Sequence, residues 1–160
     1  MEIVSNASPL IFLAKIERLN LLNGYEVTIP KQVYEEINKG IESKDDAQKI
    51  KTLVERSIIK VEKIEIIKEL EQLNLGKGEK AAISLAINKK IGLVLLDERK
   101  ARRTAKFHNL KPIGTIGILI EAWKNNKLNK KELKELIKKL VEKGYRINED
   151  LIISLLNEIE

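Results

Sequence analysis

The sequence predicts an α/β domain: a parallel sheet of four to five strands between two helical layers, with further helices at the C-terminal end. Three observations predict it. Short apolar strand candidates alternate with amphipathic helix candidates over most of the chain. The run Gly92–Leu96 (GLVLL) is unbroken in its apolarity, as suits a central parallel strand covered on both faces. Polar residues directly follow apolar runs: Asn6 after Ile3-Val4-Ser5, and Asp97 after GLVLL.

The elements follow in order. Ile3–Ser5 opens as a buried strand. Ser8-Pro9 reads as N-cap and first helical position, and Leu10, Leu13, Ala14, Ile16, Leu19 and Leu21 supply an apolar helical face. Tyr25–Ile29 is a second strand. Pro30 opens a second helix, with Val33, Tyr34 and Ile37 facing inward and Gly40 at its end. Asp45–Glu55 is an amphipathic helix, Ile58–Val61 an edge-like strand, and Ile64–Leu73 a helix. Leu75–Gly78 is a turn, and Glu79 begins a helix running through Ile87. After GLVLL come a helix over Arg99–Phe107, a short strand at Pro112-Ile113 and a helix over Gly114–Lys124. Asn129–Lys143 and Asn148–Ile159 are two last helices, capped by Asn129 and Asn148. Residues 1–128 read as one domain, and 129–160 as a helical extension packed on it.

Composition narrows the chemistry. The absence of cysteine excludes disulfides, thiolate metal sites and a thiol nucleophile. His108, the only histidine, gives little support to a zinc site. No apolar run is long enough for a bilayer, and Met1–Ser8 lacks the pattern of a secretory signal, so the expected location is cytoplasmic. The net charge of +6 is segregated: Arg99–Lys143 carries +10 and the remainder −4. Segregation of this kind points to a polyanion-facing surface.

In an open α/β sheet, ligands bind beyond the carboxyl ends of the strands, which singles out Asn6 and Asp97. Each has a plainer alternative. Asp97 can cap the helix after it, and Asn6 can make local turn bonds. Glu79, in a first helical turn, can simply complement the helix dipole. Glu35 and Glu36 both flank the inward face of their helix, so periodicity does not choose between them. Carboxylates crowded at one sheet edge would repel unless a hard divalent cation sat among them.

The segments VSNASPLIFLAKIERLNLL, IPKQVYEEI, LGKGEKAAISLA and LVLLDERKARRTAKFHNLKPIGTIGIL, taken in this order, resemble the four blocks of PIN domains. They are closest to a prokaryotic subfamily opening SN-x-SPLI. The likeness runs from residue 3 to about residue 128, and the tail GYRINEDLIISLLNEIE is similar to that subfamily's ending. The resemblance implies a PIN-like three-layer fold and a metal-dependent endoribonuclease of the VapC toxin type. It implies Mg²⁺ or Mn²⁺ held by Asn6, Glu36, Glu79 and Asp97, with Glu36, Glu79 and Asp97 catalytic and Thr115 of the Gly-Thr-x-Gly turn in support. It also implies RNA as substrate, a homodimer and an antitoxin partner. Where PIN domains usually carry Asp, this chain carries Asn6, which keeps an oxygen donor but removes a charge. That departure supports an alternative: a catalytically weak RNA-binding or regulatory module.

Arg99, Arg102, Arg103 and Lys106 recur at i, i+3, i+4 and i+7, which places four cations on one helical face beginning beside Asp97. They are the candidate RNA phosphate contacts. The plainer reading is a solvated exterior.

Overall fold

The computed structural model describes residues 1–39, 44–147 and 149–159. The strands are β1 (Glu2–Ser5), β2 (Glu26–Pro30), β3 (Ile59–Glu62), β4 (Leu93–Leu95) and β5 (Lys111–Ile113). The helices are α1 (Ala7–Lys15), α2 (Lys31–Lys39), α3 (Lys44–Glu55), α4 (Lys68–Glu71), α5 (Lys77–Lys89), α6 (Arg99–Phe107), α7 (Thr115–Lys124), α8 (Lys130–Glu142) and α9 (Glu149–Ile159), with a 3-10 turn at Leu19–Leu22.

All five strands are parallel, in the order β3-β2-β1-β4-β5. The order grows outward from β1 in both directions, so chain direction across the sheet reverses between β1 and β4. These two strands pair through Val4 with Val94 and Ser5 with Leu95. The crevice beyond their carboxyl ends is the topological switch point.

Alternating side chains divide the core between the two faces of the sheet. Ile3, Val27, Ile29, Ile59 and Leu95 pack with Leu10 and Leu13 of α1, Val33 and Ile37 of α2, Ile50 of α3 and Leu119 of α7. Leu133, Leu136 and Leu140 of α8, with Tyr145, Leu155 and Ile159, belong to the same cluster. On the other face Val4, Val94 and Leu96 meet Ile83 and Leu85 of α5, Ala101 and Ala105 of α6, and Leu70 of α4. Truncating a fully buried leucine such as Leu10 or Leu85 to alanine costs about 2–5 kcal/mol.

Local corrections to the expected elements have physical causes. Helix α1 starts at Ala7, not at Ser8-Pro9, and Asn6 occupies the cap position. It stops at Lys15 and does not continue to Leu21. Glu17 turns left-handed (φ 58°), and the Arg18 N–H donates back to Leu13 O at 2.8 Å, which closes the last turn. Pro30 ends β2; the helix after it opens at Lys31. Of Ile64–Leu73 only Lys68–Glu71 is helical, because neighbouring side chains take the backbone groups a helix would use. Gln32 Nε2 donates to Ile64 O at 2.8 Å, and the Ile67 N–H donates to Ser84 Oγ at 3.0 Å. Helix α5 begins at Lys77, two residues before Glu79. Asn129 caps α8 as expected, its side chain accepting from Glu132 N–H at 2.8 Å. The expected roles of Gly40 and Asn148 lie outside the described residues. No helix among the described residues is long and apolar enough to cross a membrane.

Candidate functional site

Asn6 and Asp97 leave the carboxyl ends of the two central strands side by side. The Asn6 N–H extends the ladder by donating to Leu95 O at 3.0 Å. Although Asn6 stands at the cap position of α1, its side chain makes no capping hydrogen bond. Its Oδ1 is buried without a hydrogen-bond partner, in a residue only 7% exposed. A buried acceptor left this way is costly unless a ligand satisfies it.

That oxygen is aimed at Gly78, in the first turn of α5, where a Cβ would stand 3.0 Å from it. The same missing Cβ would also collide with Glu36 Oε2 from α2. Gly78 is therefore the gap through which an amide oxygen from β1 and a carboxylate from α2 approach one spot. Glu36 as a residue sits at the helix surface, but its carboxylate is turned in, and burial raises its pKa. Glu35, one position away, turns outward and pairs with Lys31 at 3.9 Å. The choice that periodicity left open is made by the local packing.

Glu79 follows Gly78 and is half-buried. Its Oε1 accepts from Gly76 N–H at 2.8 Å, the half of a capping box that a glycine cap allows. Burial raises its pKa, the Gly76 N–H opposes the rise, and the charges of Glu98 and Glu36 push it further up. Glu98 thus lies close enough for its charge to reach Glu79. Glu98 also caps α6, accepting from Ala101 N–H at 2.8 Å.

Asp97 does not cap the helix after it. Its Oδ1 accepts from Thr115 N–H at 2.7 Å and Tyr145 Oη–H at 2.8 Å. Its Oδ2 accepts from Thr115 Oγ–H at 2.7 Å and, at 3.4 Å, from Ser8 Oγ–H. Asp97 thus ties together the starts of α1 and α7 and the chain after α8. Gly114 permits this approach, since a Cβ there would stand 3.1 Å from Asp97 Oδ1 and 3.4 Å from Arg102 Nη1. The Gly-Thr step of the turn therefore has two jobs: Gly114 opens room and Thr115 donates twice.

Sequence reasoning missed Tyr145. It is 8% exposed, and its ring meets Phe12 edge-on at 5.0 Å. Burial and the neighbouring Asp97 raise its pKa, so the hydroxyl stays a donor. The signal available was the glycine before it. Gly144 (φ 95°) closes α8 and turns the next side chain inward.

The site residues thus fall into two linked pairs. Asn6 meets Glu36 at Gly78, and Asp97 is bound to Thr115. Glu79 is coupled to the first pair through charge, and Asp97 stands beside Asn6 at the ends of paired strands. Among the described residues, no group of three or more Asp, Glu or His side chains is close enough to hold a metal as it stands. The like charges of Glu98 and Glu36 raise the pKa of Glu79, as expected of carboxylates gathered without a cation. The donor set still fits a hard cation: the orphaned Asn6 oxygen and the inward carboxylate of Glu36 are oxygen donors that approach one spot beside Gly78. Arg99, Arg103 and Lys106 are exposed along α6, and Arg102 is partly buried toward Gly114.

A five-stranded, all-parallel α/β/α sandwich with acidic side chains at its switch point defines the class: a doubly wound domain whose working edge faces one crevice. The chain belongs to the PIN-domain family, since the model of family DUF3368, described as PIN domain, matches residues 2–160. PIN domains are typically nucleases, generally use divalent metals and bind RNA. A PilT N-terminus domain protein, SSO1118, from the hyperthermophilic archaeon Sulfolobus solfataricus P2 shares the fold. Its solved structure superposes with a TM-score of 0.57 at 21% identity, covering 76% of this chain and 93% of that one. No curated protein matches the chain.

Proposed function

We propose that the chain is a metal-dependent endoribonuclease hydrolysing RNA phosphodiesters, of the kind used as the toxin of a VapBC-type pair. The observation that carries this reading is the buried Asn6 oxygen, unpartnered and facing the Glu36 carboxylate across Gly78. Asn6 and Glu36 would hold Mg²⁺ or Mn²⁺ directly, with Glu79 and Asp97 completing its surroundings. Such an ion supplies an activated water and neutralises charge that develops on the phosphate.

The chain's own residues do the rest. Ser8, Thr115 and Tyr145 hold the Asp97 carboxylate in one orientation, so its charge is fixed before substrate arrives. Glu79 stays anchored through Gly76, leaving its second oxygen for the crevice. Arg99, Arg102, Arg103 and Lys106 would hold the phosphates of the strand that leads to the site. The toxin role, a homodimer and an antitoxin partner rest on the resemblance of the four sequence blocks and tail.

The decisive measurement is cleavage of a mixed-sequence RNA with Mg²⁺ or Mn²⁺, comparing wild type with Asp97→Asn at matched folded fraction. The variant should lose about 10²–10³-fold in rate. Equal rates would refute the mechanism. Asn6→Asp should tighten divalent-ion binding by about tenfold or more, because a full charge replaces an amide dipole. An unchanged titration would mean that Asn6 is not a ligand.

A second reading is favoured by one observation: both oxygens of Asp97 already accept hydrogen bonds, which suits a structural acid in a weakly catalytic RNA-binding module. Wild-type protein that binds RNA without cutting it would establish that alternative.

A further inference from the structure

Helix α6 carries a feature that the proposed metal site does not use. Phe107, its last residue, is 83% exposed, the most open of the chain's large apolar side chains among the described residues. A single exposed apolar residue is ordinary. This one stands at the end of a row of cations. Arg99, Arg103 and Phe107 follow at i, i+4 and i+8, with Lys106 beside them, so the ring shares the charged stripe. Among the described residues, no salt bridge joins Arg99, Lys100, Arg103 or Lys106 to a carboxylate. The row begins beside Asp97 and reaches Phe107 about 12 Å further along the helix.

The ring also has a neighbour. His108, which ends α6, meets it edge-on at 5.4 Å between centroids. The two rings form a corner with one open aromatic face. Buried Ala101 and Ala105 anchor the other side of the helix in the core, so the platform is rigidly mounted.

We propose that Phe107 is a stacking platform for an unpaired base of the RNA strand, which the cations of α6 lead to the active-site edge. This deepens the ribonuclease reading and rests on it for the identity of the ligand. Uncompensated charge favours a polyanion over a protein partner, and an aromatic face in line with that charge favours a single strand over a duplex. Bases in a duplex present no free face, whereas an unpaired base stacks whatever its identity. Phosphate contacts along the helix would set the path, and the ring would fix where along it a nucleotide rests.

The test is fluorescence anisotropy with a labelled single-stranded RNA of mixed sequence, in EDTA so that nothing is cleaved. A duplex of the same sequence is run in parallel. Phe107→Ala should bind the single strand roughly tenfold more weakly and the duplex as wild type does, with no change in melting temperature. Phe107→Trp should restore binding, and Phe107→Leu, apolar but without a π face, should not. Full binding by Phe107→Ala, while Arg103→Glu loses it, would overturn the platform and leave the charged path intact. Unchanged binding in both variants would remove α6 from RNA recognition altogether. A change in molecular mass by light scattering on Phe107→Ala would show that the ring covers a protein contact, which also overturns the proposal. None of these outcomes bears on the Asp97→Asn cleavage comparison, so the two readings fail separately.

Discussion

At Gly78 a hydrogen atom stands where any other residue would bring a carbon, and two oxygens from distant parts of the chain use the space. Asn6 and Asp97 could be read from the sequence because each follows an apolar strand at a sheet's working edge, whereas Glu36 and Glu79 entered only through the resemblance of the sequence blocks. The individual geometry of these side chains could not be read. Glu35 and Glu36 flank the same helical face, and only the tertiary contact with α5 shows which turns in. The raised pKa of Glu36 has a testable consequence for the metal-free protein. Below the ordinary carboxyl pKa the group is protonated both folded and unfolded, and costs nothing. As pH rises through the raised folded value, the folded state must carry a half-buried anion that the unfolded chain carries in water. Glu36→Gln should therefore match wild type near pH 3 and become the more stable protein toward pH 7. Solvent screening limits the gain to under about 1 kcal/mol, or roughly 2–4 °C. A melting-temperature difference that stayed flat with pH would mean that the carboxylate is solvated.

The helices share a way of ending that explains where sequence reading lost them. Helices α1, α3, α5, α6, α7 and α8 each close through a left-handed residue: Glu17, Ser57, Lys90, Asn109, Asn126 and Gly144. In each, the next residue's N–H reaches back into the helix, as Ile91 N does to Ala86 O at 2.9 Å and Leu110 N to Ala105 O at 2.9 Å. Glycine is the usual signal for this turn, and only α8 carries it. At Glu17 nothing in the residue type announces the stop, so the apolar spacing of Leu19 and Leu21 reads as more helix. Starts are more legible, since Asn129 before Glu132 is a recognisable capping pair. A left-handed residue with a Cβ costs about 1–2 kcal/mol. Lys90→Gly should accordingly stabilise the protein by about 1 kcal/mol, raising the melting temperature by roughly 2–4 °C. A fall in melting temperature would mean that the lysine side chain contributes more than its backbone costs.

For the molecule as a whole, the layered parallel sheet follows from pattern: alternating elements, one unbroken central strand and two faces to cover; the strand order itself is seen only in the structure. The sheet is as expected, and the exact strand bounds differ by a residue or so because the short strands β4 and β5 have little periodicity to mark their ends. Charge is a whole-molecule property too. The +10 segment from Arg99 to Lys143 includes α6, and if its four candidate cations hold four phosphates, the salt dependence of RNA binding has a defined size. The slope of log K against log salt for a single strand should be about −3. A slope near zero would show that the charge is surface solvation.

Tyr145 carries a consequence for how the protein comes into being. A nascent chain emerges amino end first and folds as it appears. Asn6, Glu36, Glu79 and Asp97 are all made before the residue whose hydroxyl completes the donors on Asp97. If that donor governs the acid's orientation, a ribosome-bound fragment ending at Lys143 holds the fold's acids without their final alignment. The crevice would then acquire its final alignment only once residue 145 has been made, later than every acidic side chain gathered at the sheet's edge.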